Sequence, residues 1–173
     1  NESKRKHIGI MPTGKTALNT QIRMLGALML SRIKLYKLYK ENDVLSEDEI
    51  NELLNNYWTI VSFYNSLKDV GKIYNKIPAE VTTYIKHLHS RNILNKHIYG
   101  LNFFGLNGRT KELTSRIESN LIKKLLDELE EPFKLIRNKE WTFIDGTVDL
   151  VLASNMFSVG IDIERLNVML MNG

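Results

Sequence analysis

The 173-residue chain contains no cysteine, which removes both a disulfide framework and a thiolate metal site. No uninterrupted apolar run reaches the ~18 residues that suggest a membrane-crossing helix, and no secretory leader pattern is visible. A cytoplasmic protein without a membrane partner is therefore expected. Histidine is scarce: His7, His87, His89 and His97 are scattered among basic and polar neighbours. A helix would point His87 and His89 in different directions, so no metal site is expected. Internal repeats, low-complexity tracts and obvious linkers are also lacking. What is present, 43% hydrophobic and 25% charged residues, is an ordinary globular composition on a chain long enough to bury a sizeable core.

Charge tells more by position than in total. The formal net charge is +4. Lys4, Arg5, Lys6, Lys15, Arg23, Arg32, Lys34, Lys37 and Lys40 stand near the start against one acid, Glu2. A basic end attracts polyanions and releases counterions on binding nucleic acid. A lysine-rich helix can equally be a plain solvated face.

The hydrophobic pattern alternates between strand and helix periods. His7 to Ile10 is read as a short strand. Leu18, Ile22, Leu25, Met29, Ile33 and Tyr36 recur every three to four residues, an amphipathic helix from Leu18 to about Tyr39. Ser46-Glu-Asp-Glu49 matches a capping box, opening a second helix that ends near Asn55-Asn56. A β-branched and aromatic strand follows from Trp58 to Tyr64, with Asn65-Ser66 at its turn, where either side chain can cap the next helix. Gly71 to Pro78 reads as a loop, Ala79 to His89 as a helix, Ile98 to Phe104 as a strand or buried edge, and Gly105 to Gly108 as a turn. Leu113 to Ile117 alternates like a strand. Ser119-Asn120 would cap a helix carrying Leu121, Ile122, Leu125, Leu126 and Leu129, stopped by Pro132.

The last stretch, Asp149 to Gly173, reads as a buried strand (Leu150 to Ala153), a polar loop opening at Ser154-Asn155, a Gly160-Ile-Asp162 turn, and a second buried strand (Val168 to Met171). Continuous apolar runs of this kind suggest parallel strands covered on both faces. Strands alternating with helices give an α/β fold with a parallel sheet. In such sheets ligands gather at the carboxyl ends of the strands.

Gly9-Ile-Met-Pro-Thr-Gly-Lys-Thr16 satisfies the phosphate-loop pattern G-x-x-x-x-G-K-[ST]. Lys15 would neutralise phosphate and Thr16 would hold magnesium at a helix start. The context is poor: Arg5 to Ile8 is too polar and short for a central strand, and Pro12 lacks the amide that the loop needs. Trp141 to Gly146 is the nearest, weak candidate for the metal-organising strand. Lys15 and Thr16 are better read as contacts to a nucleic-acid phosphate, or as a helix cap.

The Asp149–Gly173 stretch resembles motif V of superfamily-2 helicases, in the second of their two RecA-like motor domains. Tyr57 to Gly71 looks like the motif IV strand and its turn, and Glu112 to Ser119 is similar to the segment before the next helix. The wording of Tyr64-Asn-Ser-Leu-Lys68 and Leu113-Thr-Ser-Arg-Ile117 looks most like helicases of the DISARM phage-defence type. The resemblance covers Asn56 to Gly173 well and the earlier residues only loosely. It implies an N-terminal helical segment (residues 1–56) packed on a RecA-like C-terminal helicase domain (residues 57–173). Ser154 stands where threonine is common, and the chain stops before the Gln-x-x-Gly-Arg-x-Gly-Arg motif that supplies arginine fingers.

The roles implied are those of a motor half. Asn65, Ser66, Thr114, Ser115, Arg116, Ser154 and Asn155 would grip a single strand by its phosphates. Gly160 and Asp162 would face nucleotide across the cleft. ATP and Mg2+ would belong to the larger protein, with none held tightly here and no hydrolysis by this part alone. The implied partners are nucleic acid (DNA in preference to RNA), an upstream first RecA-like domain and other defence proteins. Two other classes stay open: a small phosphate-loop nucleotide-binding protein using Gly9 to Thr16, and a non-enzymatic interaction domain docking through its basic first helix.

Overall fold

Continuous apolar runs build the centre of the molecule. Strands β1 (Ile60–Tyr64) and β5 (Leu150–Ser154) are buried at every position and lie side by side in parallel, Ile60 opposite Leu150 and Tyr64 opposite Ser154. The computed structural model describes residues 6–42, 45–88, 109–133, 135–137, 142–144, 147–154 and 162–172, the side chains of 37, 40, 41, 135–137 and 142–144 excepted. Within it β2 (Thr110–Leu113) flanks β5 and β6 (Val168–Asn172) flanks β1, giving one four-stranded, all-parallel sheet in the order β2-β5-β1-β6. This is the α/β architecture expected, consistent with a RecA-like domain. A separate antiparallel pair is formed by β3 (Leu135–Arg137) and β4 (Thr142–Ile144).

Period-two alternation divides the two central strands between two cores. Ile60, Tyr64, Leu150 and Leu152 face helices α1 (Ala17–Glu41), α2 (Glu47–Trp58), α3 (Leu67–Tyr74) and α4 (Ile77–Leu88). Val61, Phe63, Val151 and Ala153 face α5 (Ser119–Glu130) through Leu125 and Leu129. The apolar stripe of α1 is buried as expected at Ile22, Leu25, Met29, Ile33 and Tyr36. Among the described residues no helix is long and apolar enough to cross a membrane.

The capping box at Ser46 forms, with both the Ser46 side chain and the Glu49 carboxylate engaged, but several boundaries move. Residues 6–16 carry no strand: Ile8 is 71% and Ile10 50% exposed, because nothing pairs with so short a run. Helix α2 continues to Trp58, whose ring is buried and stacks on Phe133 at 4.3 Å. Gly71 lies inside α3 rather than in a loop. Pro78 is the second residue of α4, where its missing N–H breaks no helical bond. The chain leaves β2 at Leu113, earlier than the alternation implies, because the amide of Ile117 donates to the Thr114 carbonyl at 3.1 Å and closes a turn. The cap position of α5 is Glu118, without a side-chain bond, while Asn120 Oδ1 accepts the amide of Leu121 at 2.7 Å.

Strand β6 is not covered on both faces. It is an edge strand, with Met169 and Met171 54% and 64% exposed. The expected elements at Ile98–Phe104 and Gly105–Gly108 lie outside the described residues.

Candidate nucleic-acid interface

Parallel strands deliver all their carboxyl ends to one edge, and this sheet does so within a few residues. Leu113 pairs with Ala153, while Tyr64 pairs with both Ser154 and Asn172. With strands ~4.8 Å apart, the segments after Tyr64, Leu113 and Ala153 emerge side by side. Asn65, Ser66, Thr114, Ser115, Arg116 and Ser154 are thereby brought to one rim. Asn155 and Gly160 lie outside the described residues.

The six groups are not equivalent. Asn65 and Ser115 are exposed. Ser66 caps α3, accepting from the Asp69 amide at 3.2 Å and donating to Asp69 Oδ2 at 2.6 Å. Thr114 is fully buried and its hydroxyl donates to a Glu112 carboxylate oxygen. Arg116 Nε and Nη2 donate to the two oxygens of Glu112, a bidentate pair whose arginine side chain is 45% exposed. Burial opposes ionisation of Glu112, but the bonds from Arg116 and Thr114 and the Arg116 charge outweigh it, holding the carboxyl below its usual range. The same contacts raise the Arg116 guanidinium.

Ser154 is the outlier. It ends a central strand, is 3% exposed, and its hydroxyl oxygen has no hydrogen-bond partner among the described residues. Burying a hydroxyl without a partner costs about 1–3 kcal/mol, so the group is poised for a bond that the described residues do not supply.

Beside Ser154, polar groups missed by sequence reasoning continue the rim. Asn172 Nδ2 donates to Ser62 Oγ and to the Phe63 carbonyl, both at 2.9 Å. Gln21 Nε2 donates to Ser62 Oγ at 3.1 Å and to the Tyr64 hydroxyl, which burial raises further above neutrality. Gln21 was detectable in principle as a polar residue on the apolar stripe of α1, and Asn172 as a strand-terminal amide. Glu112 offered no such signal.

Gln21 also fixes the direction of α1. Its first turn lies at the carboxyl rim, while Arg32 reaches Asp149 at the opposite edge at 3.3 Å. Thr16 caps this helix, its Oγ1 accepting from the Asn19 amide at 3.2 Å. Lys15 and Thr16 thus stand at the rim end of the fold, with no strand in residues 6–14 ahead of them. Asp162 is exposed, three residues before Arg165, which donates to the Leu129 carbonyl and, at 3.1 Å, to Thr59 Oγ1 beyond the amino end of β1. Among the described residues no group of three or more His, Asp or Glu side chains could hold a metal ion.

The amino edge has a different character. Asp149 accepts from Arg32 at 3.3 Å and from Arg109 at 3.1 Å, with Arg32 and Asp149 side chains each 3% exposed. Arg32 also donates to the Trp58 carbonyl and lies 4.1 Å from that ring's centroid. Burial pushes its guanidinium down to about 10, Asp149 opposing and Arg109 adding to the effect. Arg32 is therefore a structural ion partner and not part of a solvated basic face, unlike the exposed Arg23 and Lys34.

Over 145 residues the chain is 32% identical to the DISARM protein DrmA of Bacillus paralicheniformis, a match taking in 84% of this chain. The chain spans about 11% of that relative's length. No protein-family model matches the sequence. The chain is thus homologous, over most of its length, to a segment of a DISARM protein.

Proposed function

We propose that this chain is part of a phage-defence motor, the second RecA-like domain of a superfamily-2 helicase or translocase, gripping the backbone of single-stranded DNA at the carboxyl rim of its sheet. The observation that carries this reading is the buried Ser154 hydroxyl at that rim, without a partner among the described residues, between the loops that bear Asn65 and Arg116. Hydroxyl, amide and guanidinium donors at strand ends bind phosphate oxygens without reading bases, which suits an element that moves along any sequence. The homology to DrmA supports the defence role. Lys15, at the same end, adds a positive charge to the approach.

The described residues do not by themselves compose a nucleotide site. Among the described residues, Gly9 to Thr16 has the letters of a phosphate loop without a preceding strand, Thr16 is engaged as a cap, and Asp162 belongs to no metal-holding cluster. ATP and Mg2+ would accordingly be held chiefly by a first RecA-like domain, this part closing the cleft and stepping with it.

The test is fluorescence anisotropy of a labelled oligo-dT with the full chain. Weak binding is expected, with a log–log salt slope of about −0.7 per phosphate contacted. Ser154→Ala should weaken it by roughly fivefold, the worth of about one net hydrogen bond, and the chain should show no ATP hydrolysis. Salt-independent binding, or none, would exclude this role.

A further inference from the structure

The bidentate pair at the rim holds a feature that the function above does not use. Glu112 is a carboxylate largely buried at 9% exposure, one residue before the end of β2. Both its oxygens are occupied by Arg116, and one of them also accepts from Thr114. Engaging Nε and Nη2 consumes one edge of the guanidinium, so the contact left to Arg116 is through its exposed Nη1 end.

The other side of the guanidinium is shaped by a glycine. A Cβ placed on Gly71 would lie 2.8 Å from Arg116 Nη1 and 3.7 Å from its Cζ and Nη2. The Nη1 end of the group therefore abuts bare helix backbone in α3, where a larger residue would displace it. Glycine in a helix interior costs about 1 kcal/mol relative to alanine, and filling the space would collide with Arg116. Two elements of the fold, β2 and α3, thus hold one arginine in one orientation with its outer part in water.

We propose that Glu112 is a positioning residue, and Gly71 its counterpart, that together preorganise Arg116 to reach a backbone phosphate of the bound strand with its exposed end. The proposal rests on the nucleic-acid reading above and deepens it. Arginine carries large rotamer freedom, and a guanidinium already immobilised on Glu112 does not lose that freedom again on binding. Thr114, with its hydroxyl proton committed to Glu112 and no exposure, belongs to this support and does not touch the strand.

The experiment is a double-mutant cycle on oligo-dT binding with the full chain, using Glu112→Gln, Gly71→Ala, Arg116→Ala and the two combinations with Arg116→Ala. Glu112→Gln removes a negative charge next to the strand, so simple electrostatics would raise affinity. Positioning requires the opposite: a loss of roughly three- to tenfold, the scale of immobilising one long side chain. That loss should vanish in the Arg116→Ala background. Gly71→Ala, which changes no charge and displaces only the flexible end of Arg116, should give the same pattern. A protected Arg116 Nε–H resonance in 15N NMR should be present in the wild type and lost in both single variants.

Tighter binding by Glu112→Gln would make Glu112 a competitor and overturn the proposal. So would equal losses with and without Arg116, or unchanged affinity in Gly71→Ala. No binding by the wild-type chain would sink the underlying reading and the proposal with it, whereas intact wild-type binding with no coupling would sink the proposal alone.

Discussion

Glu112 owes its charge to its neighbours, and that dependence has a signature in acid. Its folded carboxyl sits below the usual range, against the opposing effect of burial, because Arg116 and Thr114 bond to it. A depressed carboxyl contributes stability that is fully present above its unfolded pKa, about 4.3, and is lost as pH falls through the lower folded value. The gap in urea midpoint between wild type and Glu112→Gln should therefore stay constant from pH 7 to about pH 5 and shrink below it. Its size should be about 1 kcal/mol or less, since Arg116 is 45% exposed and water screens the pair. A gap that widened on acidification would contradict the assignment. Residues of this kind are hard to see in a sequence. Glu112 reads as an ordinary polar position, and its role depends on partners that only the turn at Thr114 and the packing of α3 bring near. Gln21 is the contrasting case: its misfit within the α1 stripe is local, so the sequence alone marks it.

Helices α1 and α4 cross closely because one of them lacks a side chain at the contact. A Cβ on Gly26 would lie 2.5 Å from Tyr84 Cδ1, well inside van der Waals contact. Gly26→Ala gains about 1 kcal/mol of helix propensity but overpacks the contact at a cost of about 1–3 kcal/mol. The net effect should be a destabilisation, measured as a lower thermal midpoint, and largely reversed in Gly26→Ala/Tyr84→Ala. Elements whose pattern is local were legible: β1 and β5 as apolar runs, α1 as a three-to-four repeat, α2 from its capping box, and α5 from its stop at Pro132. Those set by tertiary partners were not. Gly71 signals a loop by composition, yet sits inside α3, where a Cβ would collide with Arg116 Nη1. Met169 and Met171 give β6 the same apolar run as a central strand, and only the sheet order reveals it as an edge. The gathering of Asn65, Arg116 and Ser154 at one rim was legible because parallel strands leave no other arrangement for their carboxyl ends.

The molecule as a whole separates two tasks onto two edges of one sheet. At the amino edge Asp149 compensates Arg32 and Arg109, so Asp149→Ala strands two cations and should lower unfolding stability by about 3–5 kcal/mol. Where the variant still folds, its affinity for oligo-dT should be close to wild type. At the carboxyl rim the prediction is reversed. The Ser154 hydroxyl is buried without a partner among the described residues, so deleting it removes a desolvated polar group and leaves a hole no larger than one oxygen. Ser154→Ala should therefore leave stability unchanged or raise it by up to about 1 kcal/mol, while weakening strand binding. Sites that act on a ligand commonly carry such a stability penalty, because the group is arranged for a bond made only in the complex. Measuring urea unfolding and anisotropy on the same two variants decides the matter. A Ser154→Ala chain that is both less stable and unchanged in affinity would make the hydroxyl a structural group, and would leave the rim without its central contact.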